Sequence, residues 1–458
     1  MRWIVSGLVS MLAAGSLHAQ GVSIHSHGAC PLARNSAGVA EPCADGSAVF
    51  YNPAALASQR SVASAGVVAL YSTATFTFDD TSDSFDSEQG TKLAPHAWLA
   101  AGLTRTIAVG IGFWAPYGLS TKWPLDFEGR YIGYDNTLRA IYIQPTIAAR
   151  LMGNRLAFGA GVAAVNGSVM IRQRTDLART TIPSTNLQFN AIGVPDGTDF
   201  ADAELDVNGW AATFHVGVQF RPSERWSLGA RYLHTTQLEL SGDARFTQTQ
   251  TGFMLPAGNP FGLPAGAPID AVLAPQFEPG APLEDQRLST ELSLPNQFAV
   301  GMSYAVTALA RLFFDYQWTG WNQFDQAVLD FDTAPTDTLF LDFEDASTFR
   351  LAAEFAPRDQ LTVRAGVLYN TAAAPDVTVT PLLPEAQRTS FAGGIGYRLS
   401  DRLTADAGIE VLVQSDRRGS VRPRNSRAET AADLNAGPYE AHGVFGGITI
   451  SYFIGPER

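Results

Sequence analysis

Trp210-Ala211-Ala212-Thr213-Phe214-His215-Val216-Gly217-Val218-Gln219-Phe220 alternates strictly. Trp210, Ala212, Phe214, Val216, Val218 and Phe220 form one apolar face. Ala211, Thr213, His215, Gly217 and Gln219, with Arg221 after them, form a face of small, polar and charged groups. Successive side chains of a strand point to opposite faces, so this is a two-faced strand. In a water-soluble barrel the apolar face turns inward. Here the apolar face is rich in aromatics and the polar face carries charge on strand after strand. That places lipid outside and a polar lumen inside.

The alternation recurs. Phe349, Leu351, Ala353 and Phe355 oppose Arg350, Ala352 and Glu354. Leu312, Phe314, Tyr316 and Trp318 oppose Arg311, Asp315 and Gln317. Val363, Ala365, Val367 and Tyr369 oppose Thr362, Arg364 and Gly366, and Leu403 to Val411 repeats the pattern against Asp406 and Glu410. Basic residues (Arg231, Arg311, Arg350, Arg364) and acidic ones (Asp315, Glu354, Asp406, Glu410) should therefore meet in the lumen, where pairing offsets desolvation. Trp226, Tyr232, Trp318 and Tyr369 fall near strand ends, where interfacial aromatics sit.

From Val62 onward the chain offers about fourteen such segments. Tight turns, such as Gly153-Asn154 and Pro222-Ser223-Glu224, alternate with long connections at 79–92, 116–135, 175–204, 246–287, 324–345, 371–387 and 416–440. Short inner turns and long outer loops belong to an outer-membrane barrel with both ends in the periplasm. The expected fold is all-β: a transmembrane antiparallel β-barrel of about fourteen strands over 61–458, with an N-terminal plug over 20–60. The plug segment is aperiodic and rich in small residues.

Bulk properties agree. The 458 residues are 46% hydrophobic and only 16% charged. No stretch beyond the leader has the apolar length of a membrane helix. A membrane protein without such helices must close its strands into a barrel, because backbone groups cannot go unpaired in lipid. The net charge of −13 argues against a nucleic-acid partner. Arg2, the apolar run Trp3 to Leu12 and Leu17-His18-Ala19 read as a secretory signal over 1–19. Cys30 and Cys43 are expected to form a disulfide in an oxidising periplasm. The competing reading, a metal pair with His25 and His27, matches no structural zinc spacing.

Together these residues resemble the FadL/TodX family of outer-membrane transporters for long-chain fatty acids and other hydrophobic molecules. Phe50-Tyr51-Asn52-Pro53-Ala54 is similar to the motif that closes the family's N-terminal hatch. Phe113 to Leu119 with Trp123-Pro124 resembles the segment after its third strand. Ser293-Leu294-Pro295 through Trp318-Thr319-Gly320-Trp321 resembles its central strand pair, and Leu361 to Arg398 its late strands. The resemblance implies capture of substrate in a greasy groove among the outer loops, passage to a second pocket inside the barrel, and release sideways through a gap at the third strand when the hatch shifts.

Candidate residues follow. Asn52, Pro53 and Ala54 are the expected hatch motif, since Pro fixes φ and Asn bonds its local backbone. Gly110 and Gly112 in the third strand are expected to permit a kink. Phe253, Leu255, Phe261 and Leu263, with Phe189 from the neighbouring loop, are expected to bind substrate, because exposed apolar loops need something to cover them. For each of these the plainer reading is that the loops pack on one another. Asp79, Asp80, Asp83, Asp86 and Glu88 crowd the first outer loop, and Arg417, Arg418, Arg422, Arg424 and Arg427 the last. The expected partners are a hydrophobic small molecule, outer-membrane lipid and lipopolysaccharide; the expected state is a monomer with no cofactor and no metal. No Gly-x-Ser-x-Gly or other nucleophile motif supports an enzyme. The rival readings are an outer-membrane lipid-modifying enzyme and a structural or adhesin barrel.

Overall fold

The computed structural model describes residues 23–88, 90–182, 185–422 and 435–455. The leader expected at 1–19 lies outside these residues, as do Arg424 and Arg427. Fourteen barrel strands run in order: β1 (Ser61–Thr77), β2 (Lys92–Gly102), β3 (Ile107–Lys122), β4 (Asp135–Leu151), β5 (Leu156–Asp176), β6 (Asp199–Phe220), β7 (Trp226–Leu233 and Thr236–Gln248), β8 (Gln286–Leu294 and Gln297–Ala305), β9 (Ala310–Thr319), β10 (Ala346–Arg358), β11 (Leu361–Asn370), β12 (Arg388–Ser400), β13 (Leu403–Gln414) and β14 (Asn435–Ile454). Each pairs antiparallel with the next, and β14 returns to β1 from Ser61↔Ile454 to Phe76↔Tyr439. The sheet therefore closes on itself, which is how strands can stand in lipid.

Side-chain direction follows the alternation. Trp210 is 65% exposed on the outer face, while Thr213 and His215 beside it are buried in the lumen. No helix among the described residues is long and apolar enough to cross a membrane. β5 and β6 run 21 and 22 residues, about twice what a tilted strand needs to cross the bilayer. Their far ends stand clear of the membrane and carry the outer loops. The inner turn at Met152, Gly153 and Asn154 is tight because all three hold positive φ (50°, 62° and 71°).

Inside the barrel the plug forms helix α1 (Ala29–Ala33), helix α2 (Ala48–Tyr51) and a 3-10 turn, Pro53–Ser58. The disulfide Cys30–Cys43 staples it, with the two Cα atoms 6.2 Å apart. The loop expected at 324–345 contains a hairpin, Gln326–Phe331 with Asp337–Phe340, that folds over the barrel mouth. β3 was expected to end at Ala115 but continues to Lys122.

Candidate functional site

The hatch is held by wall side chains that reach its backbone. Asn52 is fully buried; its Nδ2 donates to Val39 O at 2.8 Å and to Val218 O of β6 at 3.0 Å. Its Oδ1 accepts from Ala54 N at 3.1 Å, so one side chain caps the 3-10 turn and ties it to the wall. Gly217 and Gly159 make the approach possible. A Cβ on the first would strike Asn52 Oδ1, and one on the second the Pro53–Ala54 peptide. Asp315 of β9 accepts from Gly38 N at 2.6 Å and Val39 N at 2.9 Å. Glu410 of β13 meets His25 Nε2 at 3.0 Å and Ser26 Oγ at 3.1 Å. Arg311 pairs with Glu41 of the hatch. Lumen charges thus bond the hatch as well as one another. Arg364 pairs within the wall, at 2.7 Å from both Glu354 and Asp406.

The wall itself is incomplete beside the hatch. Pairing between β2 and β3 stops at Ala97↔Phe113. Past that point β2 stays on β1, from Gly66↔His96 to Leu70↔Lys92, and β3 stays on β4. The register of β3 against β4 shifts between Trp114 and Tyr117, where two residues, Ala115 and Pro116, oppose Ile141 alone. Proline has no N–H for the ladder, and an unpaired extra residue bends a strand. The hatch reaches this seam: Ile24 N donates to Pro116 O at 2.8 Å, and Ser23 bridges to Tyr117. The expected kink at Gly110 and Gly112 is not there. Both glycines keep regular partners, Thr146 and Gln144 on β4, and Ala100 and Trp98 on β2. They provide room instead: a Cβ on Gly112 would lie 2.5 Å from the Trp98 ring, and one on Gly110 would lie 3.1 Å from Val49 and Leu56 of the hatch.

At the outer end, under the hairpin, lies an apolar chamber of about 110 Å³. Leu138, Ile171, Leu205, Leu240 and Leu288 line it from the wall, Leu329 and Leu339 from the hairpin, and Leu383 from the later loop. The hairpin pairs with β8 at Leu288↔Phe331 and Ser289↔Asp330, and Gln286 Oε1 accepts from Thr333 N and Ala334 N at its turn. The expected substrate residues lie elsewhere. Phe189 and Leu255 are buried in a separate loop cluster with Leu177, Phe200, Ile269 and Leu273. Phe253 and Phe261 pack against that cluster, with the Phe189 and Phe261 rings 6.1 Å apart, while Leu263 is 41% exposed. These loops cover one another. The chamber left a signal in the sequence. The inward positions of the long strands turn from polar to apolar at their outer ends, as in Leu205 and Val207 against Thr213, His215 and Gln219.

Aromatic rings fill the lumen between chamber and hatch. Successive ring centroids run Phe324–Trp321 5.5 Å, Trp321–Tyr117 6.1 Å, Tyr117–Tyr142 6.2 Å, Tyr142–Trp114 5.8 Å and Trp114–Phe50 5.7 Å. Phe324 lines the chamber and Phe50 belongs to the hatch. Trp114 also stacks on Trp98 at 5.4 Å, across the last paired residues of the seam. Tyr117 is pinned by donating to Pro295 O at 2.7 Å and accepting from Gln297 Nε2 at 3.0 Å. Behind the hatch a space of about 10 Å³ remains between Tyr51, Arg231 and Arg350, room for about one water.

Above the membrane, burial and the hydrogen bond to Asp202 push the Tyr134 phenol up to about 12. The hydrogen bond from Arg418 holds the exposed Asp79 carboxyl below its usual range. No group of three or more His, Cys, Asp or Glu among the described residues could hold a metal.

The family described as outer membrane protein transport protein (OMPP1/FadL/TodX) matches residues 10–452. The long-chain fatty acid transport protein of Escherichia coli K12 is 24% identical over 414 residues, covering 86% of this chain and 87% of that one. The 47 kDa outer membrane protein of Pasteurella multocida is 24% identical over 323 residues, covering 70% of each. The fold matches that of a Pseudomonas aeruginosa FadL homologue with a TM-score of 0.78 at 18% identity, over 95% of this chain and all of the other. It matches the Pseudomonas putida toluene transporter TodX with a TM-score of 0.69 at 16% identity, over 94% and 99%.

Proposed function

Because the chain belongs to the OMPP1/FadL/TodX family of outer-membrane transport proteins, and so is a transporter and not an enzyme, we propose that it takes up small hydrophobic molecules across the outer membrane of a Gram-negative bacterium. Relatives named for long-chain fatty acids and for toluene put the substrate among greasy solutes. In this reading the solute is captured in the leucine-lined chamber under the outer hairpin. It then passes along the aromatic column as those rings change rotamer, and a shift of the hatch lets it leave sideways through the β2–β3 seam into lipid. Asn52, Pro53 and Ala54 hold the hatch closed, and Ser23 and Ile24 seat it against the seam. In this reading the protein works as a monomer, with lipid and lipopolysaccharide around it.

One observation carries this reading. The aromatic column starts at the chamber wall and ends at Trp114 and Trp98, where the hydrogen bonding between β2 and β3 stops. A path through greasy side chains meets the one place where wall and hatch share a seam. Deleting Ala115 tests it. The deletion removes the extra residue of the bulge, leaves Trp114 and Tyr117 facing inward, and restores one-to-one register between β3 and β4. In cells lacking their own transporter, the wild-type protein should support uptake of a labelled hydrophobic solute. The deletion should abolish uptake while the purified protein still binds the solute. Wild-type uptake by the deletion protein would refute lateral release.

A further inference from the structure

Two cations at the junction of hatch and wall have no carboxylate of their own. Arg231 of β7 and Arg350 of β10 are each 3% exposed, and both border the space of about 10 Å³ behind the hatch. A guanidinium keeps its charge in a protein, and a buried charge is costly unless one of opposite sign meets it. Other lumen arginines have that partner: Glu41 takes Arg311, and Glu354 and Asp406 take Arg364. Arg231 and Arg350 bond neutral amides instead. Arg231 Nη2 donates to Gln297 Oε1 at 2.9 Å and to Gln317 Oε1 at 3.0 Å, and Arg350 Nη2 donates to the same Gln317 oxygen at 3.3 Å. Among the described residues no carboxylate comes within ion-pairing distance of either. Asp315, opposite Arg350 on β9, spends one oxygen on Gly38 N and Val39 N, and Glu410 spends both of its oxygens on His25 and Ser26.

The space is open to one of the two guanidiniums. Nε and Nη1 of Arg231 and Nε of Arg350 are sealed by their neighbours, so they give charge there but no contact. Arg350 Nη2 is bonded, which leaves Nη1 as the nitrogen that faces the space. His25, Ser36, Val39 and Tyr51 close it from the hatch side. Room for about one water admits a monatomic ion and excludes a carboxylate or a phosphate. We propose that this space is a halide site, taking chloride, where the ion meets Arg350 Nη1 and supplies the negative charge that the two guanidiniums lack. Its walls come from both sides, so the complete site exists only with the hatch seated. An ion bound only in that state stabilises it by mass action. Chloride thus latches the hatch, separately from the bonds of Asn52 and whichever solute is carried.

Bromide tests the site, and a change of salt tests the latch. Anomalous diffraction from crystals of the full-length protein soaked in sodium bromide should show a peak against Arg350 Nη1. Bromide on the outer surface alone, an adventitious ion only, would overturn the site. Hydrogen exchange with sodium chloride replaced by sodium gluconate, at constant ionic strength, reads the hatch. At ten times its dissociation constant chloride favours the seated hatch about tenfold. Amides of residues 36–51 should therefore exchange about tenfold faster in gluconate, while those of β11 to β14 stay unchanged. Arg350→Gln should exchange at one rate in both salts, whatever that rate is, so a hatch merely loosened by the substitution is not mistaken for a lost site. Arg418→Gln, on an outer loop, should keep the full salt dependence. Equal exchange of the wild type in the two salts would overturn the latch. Full salt dependence in Arg350→Gln would put the ion elsewhere and overturn the site. Uptake of a hydrophobic solute stands in either case.

Discussion

Replacing Asn52 by alanine removes three hydrogen bonds, two within the hatch and one to the wall, and leaves the strand ladder whole. The side chain donates to Val39 O and Val218 O and accepts from Ala54 N. Each such bond is worth about 1 kcal/mol net, and buried partners left unpaired add to the cost. The expected loss is about 2–4 kcal/mol in the local stability of the hatch. A loss of that size raises the population of the released hatch by roughly 30-fold to 1000-fold. Because the strand ladder from β1 to β14 is untouched, the barrel should stay folded and its thermal transition should barely move. Hydrogen exchange measured by mass spectrometry, residue range by residue range, reads the local effect. Amides between residues 38 and 56 should exchange faster by at least tenfold, while those of β11 to β14 stay at their wild-type rate. Single-channel recording should show more frequent ion conductance through the partly unplugged lumen. If exchange of residues 38–56 changes by less than twofold, Asn52 is not a latch, and the reasoning from its three bonds fails.

Other perturbations separate the parts of the hatch. Removing the staple with Cys30→Ser and Cys43→Ser together should weaken the enclosed loop by roughly 3 kcal/mol in the chain-entropy model, seen as faster exchange of residues 30–43 in the double variant with the barrel still closed. Gly217→Val should expel the hatch more thoroughly than Asn52→Ala, because its Cβ strikes Asn52 Oδ1 and a valine cannot shrink away; protease cleavage of the hatch, absent in wild type, is the readout. Asp315→Ala should free Gly38 N and Val39 N and speed exchange at those two amides, whereas Ser303→Ala, whose hydroxyl donates to Glu41 instead, should leave them unchanged. Asp79 is held below its usual range by Arg418, so any stability it lends is present at neutral pH and lost as the pH falls; because the pair is fully exposed, Asp79→Asn should leave the melting temperature unchanged at pH 7.

What could be read from the sequence follows how local each determinant is. Period two is local, and it yields the barrel, its strand number and its lumen charges directly. The disulfide was within reach for the same reason: two cysteines, an oxidising compartment and a short loop between them. The break in the β2–β3 ladder lies beyond the two glycines because glycine and proline act differently in a ladder. Gly110 and Gly112 stay paired, and their missing side chains are filled by Trp98, Val49 and Leu56, partners that no local pattern names. Pro116 sits in the bulge and brings no N–H to the ladder, and its own carbonyl is taken by Ile24, more than ninety residues earlier in the chain. The apolar loops show a related effect. Phe189, Phe253 and Phe261 were apolar and looked exposed, but an apolar loop can be covered by another loop as well as by a ligand. The leucine-lined chamber was concealed by the reading that found the barrel. Assigning one face of each strand as polar and inward hides the outer turns of that same face, where Leu138, Ile171, Leu205, Leu240 and Leu288 stand above the membrane. A strand twice as long as the bilayer is thick has two inner environments. The lower one must hold charges and a hatch, and the upper one can hold grease. Length, more than alternation, marks where one gives way to the other.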